Sequence, residues 1–179
     1  MIIKTQGIII KKRDLTGADR LLTVYTKDFG KIILKARGVK KNQAKLKGHL
    51  ELFVWANLLV AKSKNIDIIT NAETLDNFSY LKKNISHLIL AYYFSELIDK
   101  LIVAPEPDPN IWNLFLSSFC YLNKNKNSRE TEKILSFFEV KFLEYLGYDL
   151  TSQKRKPIDF ITYTLGEKIN SKKYLNVLK

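Results

Sequence analysis

Residues 31–47 read Lys31-Ile-Ile-Leu-Lys-Ala-Arg-Gly-Val-Lys-Lys-Asn-Gln-Ala-Lys-Leu-Lys47, seven basic side chains and no acidic one. The first half alternates. In an extended chain successive side chains point to opposite faces, so Ile32, Leu34 and Ala36 share one face. Lys31, Lys35 and Arg37 share the other, with Ile33 as its one apolar member. Gly30 and Gly38 bracket the run as turns bracket a strand. The reading is a strand with a core face and a cationic face, running into a flexible loop that continues the charge through Lys40, Lys41, Lys45 and Lys47. Such a one-signed surface tracks phosphates. The competing use, lysines that protect an edge strand from aggregation, does not require the charge to continue into the loop.

On the N-terminal side, Ile2 to Lys12 is rich in β-branched residues, Asp14 to Ala18 is a loop, and Arg20 to Thr26 is a second strand. Asp28-Phe-Gly30 then turns into the basic strand, which makes a hairpin. On the C-terminal side, His49 to Ala61 reads as one long strand, with Leu50, Leu52, Val54, Ala56, Leu58 and Val60 on one face. Ile66 to Thr70 supplies a fifth strand after the polar turn Lys62 to Asn65. Five strands with no helical pattern among them predict an OB-type barrel over residues 1–76.

From Asn77 the period changes to three and four residues. Ile85 to Ile102 predicts a helix that stops at Ala104, because Pro105-Glu-Pro-Asp-Pro109 cannot continue it. Asp108 and Pro109 start a second helix carrying Ile111, Leu114, Phe115, Phe119 and Leu122 inward. A third, capped by Ser128 and ended by Gly147, packs Ile134, Leu135, Phe138, Phe142, Tyr145 and Leu146. The expected class is α+β: the barrel, a helical bundle over 77–150, and a short C-terminal extension over 151–179. In that extension Gln153 to Pro157 is basic and Ile158 to Thr164 reads as a strand.

Composition narrows the function. The chain carries a formal net charge of +12 and a pI near 9.6, which directs it toward a polyanion. The excess is uneven: residues 1–75 hold 15 Lys and Arg against 6 Asp and Glu, whereas residues 76–179 hold 15 against 12. One cysteine, Cys120, excludes an internal disulfide and a multi-cysteine zinc site, and its apolar context predicts a buried, inert thiol. The N-terminus lacks a signal-peptide layout and no apolar run reaches membrane-spanning length, so a soluble cytoplasmic protein is expected. Phosphate-loop, dinucleotide, zincin, serine-hydrolase and deaminase motifs are all absent, and His49 and His87 read as surface or capping residues. The expectation is a binding protein without enzymatic activity, metal or cofactor.

Four stretches resemble the N-terminal barrel of the RecO recombination mediators: Lys4 to Asp14, Ala18 to Thr26, Phe29 to Ile32, and Lys35-Ala-Arg-Gly-Val-Lys40. Pro105 to Pro109 and Phe142-Leu-Glu-Tyr-Leu-Gly147 are similar to the family's helical domain. The resemblance covers about residues 1–150 and has two departures. Gly17 stands where members usually carry an acidic residue, and no cysteine follows Gly147, where many members have a four-cysteine zinc module. The expectation is therefore a short form with a metal-free element there.

The resemblance implies binding of single- and double-stranded DNA, strand annealing, and assistance to RecA in gap repair at the nucleoid. The partners it implies are RecR and the C-terminal tail of single-strand binding protein, for which Lys82, Lys83 and Arg129 are candidate cations. On the residues, Lys31, Lys35, Arg37, Lys40, Lys41, Lys45 and Lys47 are the phosphate contacts, and Tyr25, Phe53 and Trp55 are candidates for base stacking, with burial as the alternative for Phe53 and Trp55. The rival function is an RNA- or ribosome-associated OB protein, or an adaptor whose basic face only confers solubility.

Overall fold

Strand β1 (Ile2–Asp14) is long enough to serve two neighbours, and the first part of the chain is built around it. The structure, a computed structural model, describes residues 1–103, 105–125, 130–148, 157–166 and 168–178. It divides into two compact units, Met1–Phe78 with Ile102–Asp108, and Ser79–Leu101 with Pro109–Lys179.

In the first unit β1 is followed by β2 (Arg20–Thr26), β3 (Gly30–Ala36), β4 (Trp55–Ala61) and β5 (Ile68–Asp76), in the closed order β1-β2-β3-β5-β4. The C-terminal half of β1 pairs with β2 and its N-terminal half with β4, both antiparallel. A bulge between Ile9 and Lys11 marks the changeover, and such a bulge sharpens strand bending. The ring closes at a parallel seam, where Lys35 is opposite Ile68 and the Lys35 N–H donates to the Asp67 carbonyl at 2.8 Å. This is the OB-type arrangement.

The core follows the alternation. Leu22 is opposite Leu34, and Val24 opposite Ile32. These four meet Ile9, Leu58 and Val60 inside the barrel, with Ile32 partly buried and the others at most 1% exposed. Apolar burial of this kind contributes roughly 25 cal/mol per Å².

Two expectations are corrected. His49 to Val54 is not strand: a 3-10 turn covers Gly48–Leu50, and Phe53 takes a left-handed φ of 60° while its N–H donates to the Ile9 carbonyl at 2.8 Å. Leu50 and Val54 are nevertheless buried, because residues four apart reach one side in a turn as well as in a strand. The last strand runs over Ile68–Asp76 rather than 66–70; two register shifts against β4 break its period, and Asn71 and Glu73 face solvent.

Gly30 has a φ of 62°, and a Cβ there would overlap the Glu106 carbonyl, whose carbon would lie 2.6 Å away. The segment Ile102–Asp108, within the expected helical domain by sequence, thus passes over the start of β3.

The second unit contains α1 (Ser79–Lys83), α2 (Ile85–Leu101), α3 (Pro109–Lys124), α4 (Thr131–Tyr145) and α5 (Pro157–Leu165), with a 3-10 segment over Asn170–Leu178. Its core is aromatic. Phe94 stacks on Phe138 with ring centroids 3.9 Å apart, and Phe142 lies 5.5 Å beyond. Among them the Tyr93 hydroxyl donates to Glu139 at 2.7 Å. Glu96 of α2 holds the 3-10 segment, accepting from the backbone N–H groups of Asn170 and Ser171 at 2.8 Å.

The three expected helices are α2, α3 and α4. The expected strand at 158–164 is instead α5, which begins at Pro157, a residue pre-set for a first helical position. Tyr145 is exposed rather than packed inward, and Cys120 is partly exposed rather than buried. His87 is buried, not a surface residue, and its Nδ1 has no hydrogen-bond partner. Ser128, Arg129 and the basic run 153–156 lie outside the described residues.

Candidate nucleic-acid interface

The strand register assembles the cationic face. Lys11 of β1, Thr23 of β2 and Ile33 of β3 stand in one row, and Arg13, Leu21 and Lys35 in the next. Partners directly opposite share a face, so the solvent side of β3 joins that of β1. Lys31 lies two residues before Ile33 on the same side, and Arg37 is exposed just beyond the end of β3. Sequence reading missed Lys11 and Arg13. The signal was available: both have the parity of Lys35 once the strands are paired, but the bulge at Ile10 shifts that parity within β1.

The loop after β3 is folded into turns. Successive turns carry it, with Lys41 N–H donating to the Gly38 carbonyl, Ala44 to Lys41 and Lys47 to Ala44, each at 3.1 Å. Val39 is buried and Leu46 packs on the core, and these two anchor the turns. Lys41, Lys45 and Lys47 are left exposed.

The basic side chains therefore fall into two groups. Lys35 Nζ lies 2.9 Å from Asp19, and Lys40 Nζ lies 3.7 Å from Asp14 and donates to the Leu15 carbonyl at 3.1 Å. Both are tied to the β1–β2 loop. Arg37, Lys41, Lys45 and Lys47 stand at the solvent boundary. The Gly38 N–H, then Lys35, hold the Asp19 carboxyl below its usual range. Arg20 does the same to Asp14, donating through Nε at 2.6 Å. Arg20 and Lys12 also reach Glu51, so an ion network of both signs sits beside the basic face.

The stacking candidates are corrected in part. Tyr25 and Phe53 are 0% and 1% exposed, and neither ring offers a face to a base. Tyr25 has the parity of Lys31, opposite it, so alternation alone does not reveal that its ring is covered. Trp55 is partly buried on β4, opposite Ile8 of β1, with its indole N–H buried and without a hydrogen-bond partner.

Among the described residues no group of three His, Cys, Asp or Glu side chains is placed to hold a metal ion, and no helix is long and apolar enough to cross a membrane. His49 is used structurally, its Nδ1 lying 2.8 Å from the Thr74 hydroxyl. In the helical unit a groove of about 570 Å³ is lined by Ile85, Leu88, Ile89, Tyr92, Lys173 and Tyr174, among others. Lys82 and Lys83 do not line it.

Comparison with known proteins agrees with this architecture. The family described as Recombination protein O N terminal matches residues 1–78, and Recombination protein O C terminal matches residues 82–155. The DNA repair protein RecO of Dehalococcoides mccartyi is 34% identical over 145 residues, covering 81% of this chain and 56% of the relative. That of Roseiflexus sp. is 32% identical over 147 residues, covering 82% and 50%. That of Clostridium acetobutylicum is 31% identical over 166 residues, covering 90% and 66%. The chain spans about half the length of the first two relatives.

Proposed function

The chain belongs to the RecO family of DNA repair and recombination proteins, and on that premise we propose that it binds single- and double-stranded DNA and promotes annealing of complementary strands. It acts by binding, with no chemistry of its own, and assists RecA loading in gap repair at the nucleoid. The observation that supports this reading is the register that puts Lys11, Arg13 and Lys35 on one barrel face, with the exposed Arg37, Lys41, Lys45 and Lys47 in the segment that follows β3. Each phosphate contact it makes adds roughly one unit to the salt slope of log affinity.

The partners in this reading are RecR and the C-terminal tail of single-strand binding protein. For the tail, which combines acidic and apolar residues, the groove beside α2 is a suitable surface: Ile85, Leu88 and Ile89 give apolar contact, and Lys173 gives a cation.

The test is annealing of two labelled complementary oligonucleotides over a salt series, with structured RNA as competitor. Acceleration that fades steeply with salt supports the mediator reading. Binding without annealing, with RNA competing better than single-stranded DNA, overturns it in favour of an RNA-binding protein.

A further inference from the structure

We infer that Ile33 is a nucleobase contact, and that through it the basic face favours unpaired strands over duplex. This rests on the reading above that the face binds nucleic acid. Ile33 is 57% exposed. Among the described residues of β2 and β3 it is the one large apolar side chain that is exposed. An exposed Ile on a strand is by itself ordinary, since branched side chains suit the extended backbone. Its position is what matters. Lys11 lies in the same row across the sheet, and Lys31 and Lys35 flank it along β3. A strand whose phosphates follow those cations lays its bases over the apolar centre between them.

The usual occupants of such a centre are aromatic rings. Here Tyr25 and Phe53 are buried and Trp55 is partly buried on β4, so beside the cations of β3 the exposed apolar side chain is that of Ile33. A duplex directs its stacked base faces inward and offers phosphate and sugar to a flat surface. It therefore engages the lysines but gains nothing from Ile33. A single strand gains both, and covering one aliphatic side chain with a base is equivalent to about fivefold in affinity.

The experiment measures anisotropy with the full chain and three labelled probes of equal length: oligothymidylate, a duplex and an abasic strand. Ile33→Thr keeps the branched Cβ, and so the strand preference, while shortening the apolar contact. Ile33→Tyr offers a ring instead. The expected result is that Ile33→Thr loses about fivefold on oligothymidylate and nothing on the duplex or abasic strand, with Ile33→Tyr at least as tight as wild type on oligothymidylate. Equal losses on all three probes, no loss on any, or weaker binding by Ile33→Tyr overturns the inference. Should wild type bind none of the probes, the nucleic-acid reading itself fails. Wild-type binding with an indifferent Ile33 removes only the base contact.

Discussion

Asp19 holds Lys35 at 2.9 Å and, through its other oxygen, accepts the Gly38 N–H at 2.8 Å. One carboxylate thus occupies a cation of the basic face while fixing the turn that follows it. Asp19→Asn keeps an acceptor for Gly38 and removes the charge opposite Lys35. Binding of single-stranded DNA is expected to tighten severalfold, with the salt slope steeper by roughly one unit, as read by anisotropy. An unchanged slope means Lys35 contributes nothing even when released.

The same pair sets a pH dependence. Asp19 has its folded pKa lowered, first by the Gly38 N–H and then by Lys35. The contact is therefore present above the unfolded carboxylate value and is lost as pH falls through the folded one. The advantage of Asp19→Asn over wild type is expected to hold at neutral pH and to disappear as the solution is acidified below the carboxylate range. An advantage constant across that range refutes the pairing.

Charge substitutions separate the two groups of cations. Replacing Arg37, Lys45 and Lys47 by Gln is expected to lower the salt slope by roughly three units without changing the melting temperature, because all three side chains are exposed. Lys35→Glu sets a carboxylate against Asp19 and loses stability as well as affinity. Thermal melting alongside the salt series distinguishes the two.

Gly30→Ala forces a side chain into a left-handed φ and against the Glu106 backbone. A loss of about 2 kcal/mol or more is expected in urea unfolding.

Glu139 sits 5% exposed in the helical unit, and burial raises its pKa above the usual range despite the Tyr93 hydroxyl and the charge of Lys172, with Asp159 adding to the rise. A raised acid favours its protonated form when folded, so its stabilising contribution is complete below the ordinary Glu value and is lost as pH rises through the folded one. Glu139→Gln retains an acceptor for Tyr93 and is expected to be more stable than wild type at mildly alkaline pH by about 1 kcal/mol. That gap should close in acid when measured by chemical denaturation.

The barrel was legible where side-chain period and strand period coincide. Leu22, Val24, Leu34 and Ala36 alternate in sequence and are all buried. Legibility failed where the backbone departs from regularity without changing which residues are apolar. Leu50 and Val54 point inward from a turn, and Ala72 follows Ile69 into the core only because a bulge intervenes. The stretch from Ile158 to Thr164 is branched and aromatic like a strand, yet its place after Pro157 makes it a helix. The state of the basic residues was not legible at all. Whether Lys35 and Lys40 meet Asp19 and Asp14 depends on the pairing of β2 with β3, which local sequence does not state. The start of α1 is hidden for the same reason, its first N–H groups being accepted by Asn123 from another helix.

The seam between β3 and β5 has a kinetic consequence. The β1–β2–β3 meander and the β4–β5 hairpin each join neighbours in sequence, whereas Lys35 and Ile68 meet only after β4 has returned to β1. Pairings that close long loops form late, because chain entropy is spent before any contact compensates for it. The barrel is thus expected to zip from β1 outward and to lock last at Lys35, and to open there first. The final step of folding and the surface proposed to meet DNA share one residue, so a strand bound across β3 would also act as a clasp on the least secure joint of the ring.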